Sequence, residues 1–186
     1  MKRDDLTGAA LTGNKIRKLE FIAAHALEQG FQTLVTCGGV QSNHCRATAL
    51  VAAQLGLDCH LVLRADDEPE QNTGNFLLDQ LAGATFEILP AKEWAEQLKI
   101  IYERLESEFA EAGRPALMIP TGGSDSLGVW GYIAATEELR GDLAEHGIAR
   151  AALTLATGSA GTQTGLTAGA ALFDLPLDVV GYAVCD

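Results

Sequence analysis

The sequence is poor in basic residues and in long apolar runs, and each shortage argues against a class of protein. Its 13 lysine and arginine residues face 25 aspartate and glutamate residues, which gives a net charge of −12. This balance argues against a nucleic-acid partner, since nucleic-acid-binding proteins present basic patches to the phosphates. No apolar run reaches the roughly 18 residues that span a bilayer, so we expect no membrane partner. Residues 1–5 also lack the apolar stretch of a signal peptide, and we expect a cytoplasmic protein.

The four cysteine residues form no CxxC pair and show no metal-ligand spacing. Cys37 and Cys59 lie in or beside apolar runs typical of strands, where a free cysteine acts as a small apolar side chain. We therefore expect these two residues, together with Cys45 and Cys185, to be reduced and structural, and we expect no metal site.

Strand-like apolar runs alternate along the chain with segments of helical periodicity. Short strands separated by longer helices predict βαβ units and a parallel sheet, and continuous apolar strands predict helices on both of its faces. The expected fold class is therefore α/β, with parallel sheets flanked by helices in three layers. The predicted helices span residues 14–28, 43–55, 72–82, 94–112, 127–140 and 162–173. The predicted strands span residues 33–37, 59–63, 85–89, 116–119, 151–156 and 177–184.

Two polar segments near the start of the chain lie where a loop leads into a predicted helix. The first is Gly-Asn-Lys-Ile-Arg-Lys-Leu-Glu at 13–20, and the second is Gln-Ser-Asn-His at 41–44. Lys15 lies at the positive end of a helix beside other cations, which predicts a lowered pKa and a nucleophilic amine. A solvated surface lysine is the alternative. Ser42 and Asn43 offer a hydroxyl and an amide, although either could act only as an N-cap.

Two further polar segments follow predicted strands. Thr-Gly-Ser-Ala-Gly-Thr at 157–162 turns from a strand into a helix, where backbone N–H groups and the helix dipole favour an anion. This loop is neither a Walker loop nor a GxGxxG loop, and a simple tight turn is the alternative. Pro-Thr-Gly-Gly-Ser-Asp-Ser at 120–126 could close over a substrate, or Ser124 and Ser126 could only cap a helix. Ligands of parallel sheets bind beyond the carboxyl ends of the strands, where all four segments fall.

Together these segments resemble the pyridoxal-phosphate enzymes of fold type II, and most closely the family of D-cysteine desulfhydrase and 1-aminocyclopropane-1-carboxylate deaminase. The resemblance covers the whole chain and rests on five motifs in the same order, at residues 2–7, 13–20, 41–44, 120–124 and 158–162. Family members start earlier and continue past Asp186. The resemblance therefore implies a chain shortened at both ends, with an incomplete cofactor domain.

The resemblance assigns roles to residues of this sequence. Lys15 would form the Schiff base with pyridoxal phosphate and take the substrate's α-proton. Asn43 would bond the phenolic oxygen of the cofactor, and Ser42 would face the substrate carboxylate or act as a catalytic hydroxyl. The phosphate would be held by a loop, with help from Lys18; the loop residues are Gly158, Ser159, Ala160, Gly161 and Thr162. The implied reaction is an elimination from a small amino acid such as D-cysteine or 1-aminocyclopropane-1-carboxylate, giving a 2-oxo acid and ammonia.

The resemblance also implies a division into domains. Residues 1–38 and 151–186 would form part of a large cofactor domain, and residues 39–150 would form a small α/β domain. An open sheet edge in such a shortened chain predicts a homo-oligomer. Two alternatives remain at this point. One is a descendant without cofactor that hydrolyses small esters through Ser42, with Lys15 or His44 as the base. The other is an inactive oligomeric fragment.

Overall fold

The computed structural model describes residues 1–8, 10–69 and 73–184 as helices, strands and connecting loops. The α-helices are α1 (Asn14–Glu28), α2 (Asn43–Leu55), α3 (Gly74–Leu81), α4 (Ala91–Glu111), α5 (Trp130–Glu145) and α6 (Gly161–Leu172). The strands are β1 (Thr33–Gly39), β2 (Asp58–Arg64), β3 (Thr85–Leu89), β4 (Ala116–Met118), β5 (Ala151–Thr157) and β6 (Leu177–Ala183). Short 3₁₀ turns occupy Asp4–Leu6 and Thr121–Gly123.

Four parallel strands form the first sheet in the order β3-β2-β1-β4. Alternate residues of β1 point to opposite faces, because the side-chain period of a strand is two. Leu34 packs with residues of α1, α2 and α3 on one face, whereas Val35 and Cys37 pack with Ile101 and Leu105 of α4 on the other. This sheet therefore lies between two helical layers, and the expected α/β fold with a parallel sheet flanked by helices is confirmed here.

The second sheet contains the parallel pair β5 and β6, and α5 and α6 pack beside it. Tyr132 and Ala135 of α5 meet Leu166 of α6 in a small buried cluster. The two helices approach closely because Gly165 and Gly169 leave no side chain between them, and a Cβ on Gly169 would lie 2.7 Å from Cβ of Thr136. This packing positions α6 so that Thr162, in its first turn, contacts Asn14 of α1.

The segment before α1 is tied to both α1 and α5 by charge. Arg17 Nε donates to Asp4 Oδ1 at 2.9 Å, and the hydroxyl of Tyr132 donates to Asp4 Oδ2. Arg17 also makes a two-point contact with the Glu138 carboxylate, with N–O distances of 2.8 and 3.0 Å. This contact and Lys2 lower the pKa of Glu138 to about 2. The network fixes the first turn of α1, which carries Lys15.

The structure confirms most of the predicted elements and shifts some of their ends. The bounds of α1 and α2 agree with the prediction. Helix α4 begins at Ala91, earlier than expected, because the Asp66 carboxylate accepts from the Ala91 amide at 2.8 Å. Helix α5 begins at Trp130, later than expected, because Asp125 Oδ1 accepts from the amides of Leu127 and Gly128 in the preceding turn. The expected start of the third helix, Asn72, lies outside the described residues.

The expected domain boundary after residue 38 falls inside β1. This strand pairs with β2 from Thr33 to Gly39, so residues 33–38 belong to the four-stranded sheet. We propose that the boundary between the two α/β units lies before Thr33. Under this division α1 joins the units, because it packs against both α2 and α5.

The described cysteines agree with the structural role expected of them. Cys37, Cys45 and Cys59 are free and buried. Burial raises the pKa of the Cys45 thiol to about 12 and that of Cys59 well above its usual value. Cys185 lies outside the described residues. Within residues 1–8, 10–69 and 73–184, the structure has no helix both long and apolar enough to cross a bilayer.

Candidate functional site

The polar segments singled out in the sequence follow the carboxyl ends of β1, β4 and β5. Residues 41–44 lead into α2, residues 121–124 form the turn after β4, and residues 158–162 lead into α6. Lys15 is the second residue of α1, which packs between them. Contacts among side chains show which segments meet.

Lys15 is joined to the loop before α6 through its neighbour. Its Nζ donates to Asn14 Oδ1 at 3.1 Å, and Asn14 Nδ2 donates to the Thr162 hydroxyl at 3.1 Å. Asn14 therefore uses both polar atoms of its side-chain amide. Its oxygen accepts from the Lys15 ammonium, and its nitrogen donates to the Thr162 hydroxyl. The first and last motifs of the sequence meet here.

Lys18 is the most unusual cation of the site, since its side chain lies among the largest fully buried ones. Its Nζ donates to the carbonyl oxygen of Gly122 and to the hydroxyl of Ser124, both at 3.0 Å. Among the described residues, Lys18 makes no salt bridge with a carboxylate. Burial, with a smaller effect from nearby Lys15, lowers the pKa of Lys18 to about 8. A buried ammonium bonded only to neutral oxygens is a site that an anion would stabilise.

The first turn of α6 lies directly beside this ammonium. Ser159 Oγ is 2.7 Å from Ser124 Oγ, which links the loop to the Lys18 contacts. Gly161 allows the close approach, because a Cβ there would lie 2.7 Å from Lys18 Nζ and would collide with Ser124 Oγ. Ala160 has a left-handed backbone with φ of 61°, which turns the chain sharply into the helix. The helix begins without a side-chain cap, and its first amide, that of Gly161, donates to the carbonyl oxygen of Ser159 at 2.9 Å.

A cleft of about 400 Å³ opens beside this turn. It is lined by Ser124, Asp125, Ser126, Val129, Ser159, Gly161 and Thr164. Lys15 and Asn43 are not among its lining residues. The structure therefore brings together Lys18, Ser159, Gly161 and, through Asn14, Lys15 and Thr162, while Asn43 stands apart from this group.

Ser42 caps helix α2. Its Oγ accepts from the backbone amides of His44 and Cys45, both at 3.2 Å. Both of these contacts are with backbone amides of α2 rather than with a base. An activated serine needs such a base within hydrogen-bond reach, so the serine-hydrolase alternative finds no support in the structure.

His44 is buried behind this cap. Its Nε2 is 2.8 Å from the Thr36 hydroxyl, and that hydroxyl donates to the carbonyl oxygen of Ile119 at 3.1 Å. Thr36 therefore accepts from His44, which places the histidine proton on Nε2. Burial, helped by the charges of Lys15 and Lys18, lowers the pKa of His44 to about 3. A neutral His44 that joins α2 to the end of β4 through Thr36 has a structural role and does not act as a base for Ser42.

Asn43 is the first residue of α2, and its side chain bonds to helix α3. Asn75 Nδ2 donates to Asn43 Oδ1 at 2.9 Å. Sequence reasoning did not single out Asn75, because a lone asparagine near the start of a helix carries no chemical signal of its own. Only the packing of α3 against α2 brings it to Asn43.

The residues of this region fit a phosphorylated cofactor. The fit rests on two observations in the structure: Lys18 is buried without a carboxylate partner among the described residues, and Gly161 lets the N-terminus of α6 approach the Lys18 ammonium more closely than a residue with a Cβ would allow. A phosphate group would supply the missing negative charge at a helix N-terminus, where anions are stabilised.

Fold and site together define a parallel α/β protein with a buried lysine ammonium beside the N-terminus of α6. The chain belongs to the family of pyridoxal-phosphate dependent enzymes, whose family model matches residues 1–184. This confirms the expected family and, at the level of the family, its cofactor.

Relatives with assigned names support the same placement. A bifunctional D-cysteine desulfhydrase/1-aminocyclopropane-1-carboxylate deaminase of Arabidopsis thaliana is 40% identical over all of this chain and 48% of its own length. A D-cysteine desulfhydrase of Serratia proteamaculans is 43% identical over 99% of this chain and 56% of its own. The crystal structure of an ACC deaminase homologue superposes with a TM-score of 0.85 at 39% identity, covering 98% of this chain and 54% of that one. The chain thus spans about half the length of the relatives it matches.

Proposed function

We propose that this chain carries the lysine and the phosphate-binding loop of a pyridoxal-phosphate enzyme that acts on a small amino acid. D-Cysteine and 1-aminocyclopropane-1-carboxylate are the proposed substrates, and a 2-oxo acid and ammonia are the proposed products. The observation that carries the proposal is the buried Lys18 ammonium at the N-terminus of α6, linked through Asn14 and Thr162 to Lys15. The names of the relatives supply the substrate class.

The phosphate would be held by the first turn of α6. Lys18 Nζ, the backbone amides of Gly158, Ser159, Ala160 and Thr162, and the hydroxyls of Ser159 and Thr162 are the proposed donors, and Gly161 provides the close approach to Lys18. Ser124 and Gly122 hold Lys18 in place, so the ammonium does not have to be ordered when the anion binds. The burial that lowers the pKa of Lys18 also strengthens its attraction to a phosphate, because the dielectric constant is lower away from water.

When bound, pyridoxal phosphate supplies the electron sink that stabilises negative charge on the substrate's α-carbon. The proposed contribution of Lys15 is to anchor the cofactor covalently and to move the α-proton at its Nζ. Asn43 would donate a hydrogen bond to the phenolic oxygen of the cofactor. The Ser42 hydroxyl accepts hydrogen bonds from two backbone amides and keeps its own proton. It would therefore donate that proton in a hydrogen bond to the substrate carboxylate.

Borohydride trapping of the full chain tests this proposal. The chain is mixed with pyridoxal phosphate, reduced, digested and mapped by mass spectrometry. We expect one label per chain on Lys15 and none in Lys15→Arg. The exposed Lys99 supplies the control, and we expect Lys99→Arg to leave the labelling unchanged. Labels scattered over exposed lysines, or none at all, would overturn the proposal.

Turnover tests the substrate class. We expect the full chain, incubated with pyridoxal phosphate and D-cysteine, to release a 2-oxo acid that Lys15→Arg does not produce. Release from 1-aminocyclopropane-1-carboxylate instead would move the proposal to the deaminase reaction. Labelling of Lys15 without release from either compound would contradict the proposed activity while leaving the cofactor site intact.

Self-association and a cytoplasmic location belong to the same proposal. Apolar side chains of the exposed strand β6 support self-association, since Val180 and Tyr182 are 42% and 60% exposed. Light scattering of the purified chain tests this, with Tyr182→Lys as the variant that we expect to shift the chain towards the monomer. An unchanged mass in Tyr182→Lys would contradict the role of this face.

A further inference from the structure

We infer that Asn75 is a positioning residue that sets the orientation of the Asn43 carboxamide. By holding Asn43 Oδ1, Asn75 turns the Nδ2 group of Asn43, which can only donate, away from α3 and towards the ligand side. The inference rests on the proposed function, in which Asn43 faces an oxygen of the cofactor. The role inferred for Asn75 is to ensure that the Asn43 carboxamide presents its nitrogen, and not its oxygen, to the ligand.

The contacts of Asn75 involve three separate bonds. Its Nδ2 donates to Asn43 Oδ1 at 2.9 Å and to the backbone oxygen of Gln41 at 2.8 Å. Its backbone N donates to Gln41 Oε1 at 2.8 Å. Both hydrogens of Asn75 Nδ2 are therefore used. One bonds to Gln41 in the loop before α2, and the other bonds to Asn43, the first residue of α2.

The assignment of nitrogen and oxygen in the Asn75 and Asn43 side-chain amides follows from a partner that can only accept a hydrogen bond. The backbone oxygen of Gln41 can only accept, so the Asn75 atom beside it must be the nitrogen. The atom of Asn43 beside that same nitrogen must then be an acceptor, which is Oδ1. The orientation of Asn43 is thus fixed by a chain of two bonds that starts at a backbone carbonyl. In the reverse orientation two donors would face each other.

Gln41 holds Asn75 in place by closing the start of α3. Helix α3 has no side-chain cap from Thr73, and Gln41 Oε1 accepts from the Asn75 amide instead. Gly74 permits this, because a Cβ there would collide with Gln41 Oε1. Its φ of 54° is also a backbone conformation that favours glycine. Asn75 is therefore held through both its backbone and its side chain.

The orientation of the Asn43 amide determines whether it attracts or repels an anionic oxygen of a ligand. An oxygen that carries negative charge is stabilised by an N–H donor and repelled by a carbonyl oxygen. Asn43 is exposed at the N-terminus of α2, so its Nδ2 group is accessible to such an oxygen. If Asn43 reversed, the same side chain would present its carbonyl oxygen to the ligand. Asn75 thereby decides whether Asn43 attracts or repels an anionic oxygen.

Asn75→Asp is the sharpest test, because it keeps the shape and replaces the NH₂ donor with an acceptor. We expect the affinity of the full chain for pyridoxal phosphate, measured by fluorescence titration, to fall about tenfold to a hundredfold, as for loss of a hydrogen bond to a charged group. Leu81→Glu is the matched control, since it adds a carboxylate to the exposed end of α3, and we expect it to change the affinity less than about twofold.

A double-mutant cycle with Asn43→Ala separates positioning from general damage. If Asn75 acts through Asn43, the Asn75→Asp change has little further effect once Asn43 is alanine. An equal loss of affinity in both backgrounds would overturn the inference. Urea unfolding of each variant reports its stability, so that a loss of folding is not taken for a loss of positioning.

A measurement without cofactor keeps this test separate from the proposed function. In the nuclear magnetic resonance spectrum of the chain alone, we expect Asn75→Asp to move one Asn43 side-chain amide proton downfield, because Asn43 reverses to donate to the new carboxylate. No such shift would overturn the inference. If the wild-type chain binds no pyridoxal phosphate while this shift is seen, the proposed function fails and the positioning of Asn43 stands.

Discussion

Lys18 Nζ and Ser124 Oγ lie 3.0 Å apart, joining the first turns of α1 to the loop between β4 and α5. Ser124 Oγ is in turn 2.7 Å from Ser159 Oγ, at the start of α6. A single hydroxyl thus links a buried ammonium to the proposed phosphate loop, and it connects the loop after β4 with the loop after β5. The first prediction concerns this hydroxyl.

Ser124→Ala removes one of the two oxygens that hold Lys18. We expect the free energy of unfolding to fall by about 1–3 kcal/mol, the cost of leaving a buried donor unsatisfied. Urea denaturation measures the change. Ser126→Ala is the matched control, because Ser126 lines the same cleft but is exposed. Equal losses in the two variants would contradict the role assigned to Ser124.

Binding of inorganic phosphate to the full chain should depend on pH through Lys18. Burial lowers the pKa of Lys18 to about 8, and only its protonated form attracts the anion. Affinity should therefore fall as the pH rises above about 8, by up to about tenfold per pH unit. Isothermal titration calorimetry between pH 7.5 and about pH 9.5 measures this slope.

Lys18→Met provides the check on that pH dependence. We expect the variant to bind phosphate weakly and to lose the part of the slope that Lys18 causes. Lys99→Met, which removes an exposed lysine of α4, should keep the wild-type slope. A slope that survives in Lys18→Met would assign the titration to another group.

The contacts of Ser42 predict a helix cap rather than a hydrolase nucleophile. Ser42→Ala should lower the free energy of unfolding by about 1 kcal/mol, since two amides of α2 lose their acceptor. Ser42→Asp should keep the stability, because a carboxylate also caps a helix N-terminus. Any hydrolysis of a simple ester should be the same in all three chains. Ester hydrolysis that disappears in both variants would restore the hydrolase alternative.

Sequence reasoning predicted the fold better than the contacts of the site. The helical spacing of apolar residues was sufficient for α1, and short apolar runs between the helices were sufficient for the parallel strands. These patterns did not separate the two sheets: the apolar run of β1 looks the same whichever sheet it joins, and only pairing with β2 decides this.

At the site, Lys15 and the loop at 158–162 were indicated by motifs beside helix starts, and the family resemblance added Lys18. Sequence reasoning gave no role to Asn14, although Asn14 belongs to the first motif, and it missed Asn75; their roles depend on partners 148 and 32 residues away. The burial of Lys18 was equally hidden, because it results from the packing of α1 against α5 and the turn after β4. The individual roles of Lys15, Ser42 and Asn43 remain predictions that the proposed experiments address.

Asp79 of α3 carries the last prediction, which concerns stability rather than the site. Its side chain is fully buried, and neither carboxylate oxygen has a hydrogen-bond partner in the part of the chain that the structure describes. Burial raises the pKa of Asp79 to about 7, and Arg46 only partly offsets the effect. The folded chain therefore binds this proton more tightly than the unfolded chain, whose carboxyl has a pKa near 3.8.

The sign of the pH dependence follows from that difference. Between about pH 4 and pH 7 the folded chain holds a proton that the unfolded chain has lost, so the contribution of Asp79 to stability falls as the pH rises, by at most about 1.4 kcal/mol per pH unit. Asp79→Asn cannot ionise. Relative to the wild type, it should gain stability steadily from pH 4 to about pH 7 and show no further gain above it. Urea denaturation at several pH values measures this difference, and a difference that does not change with pH would show that Asp79 is ionised and paired in the folded chain.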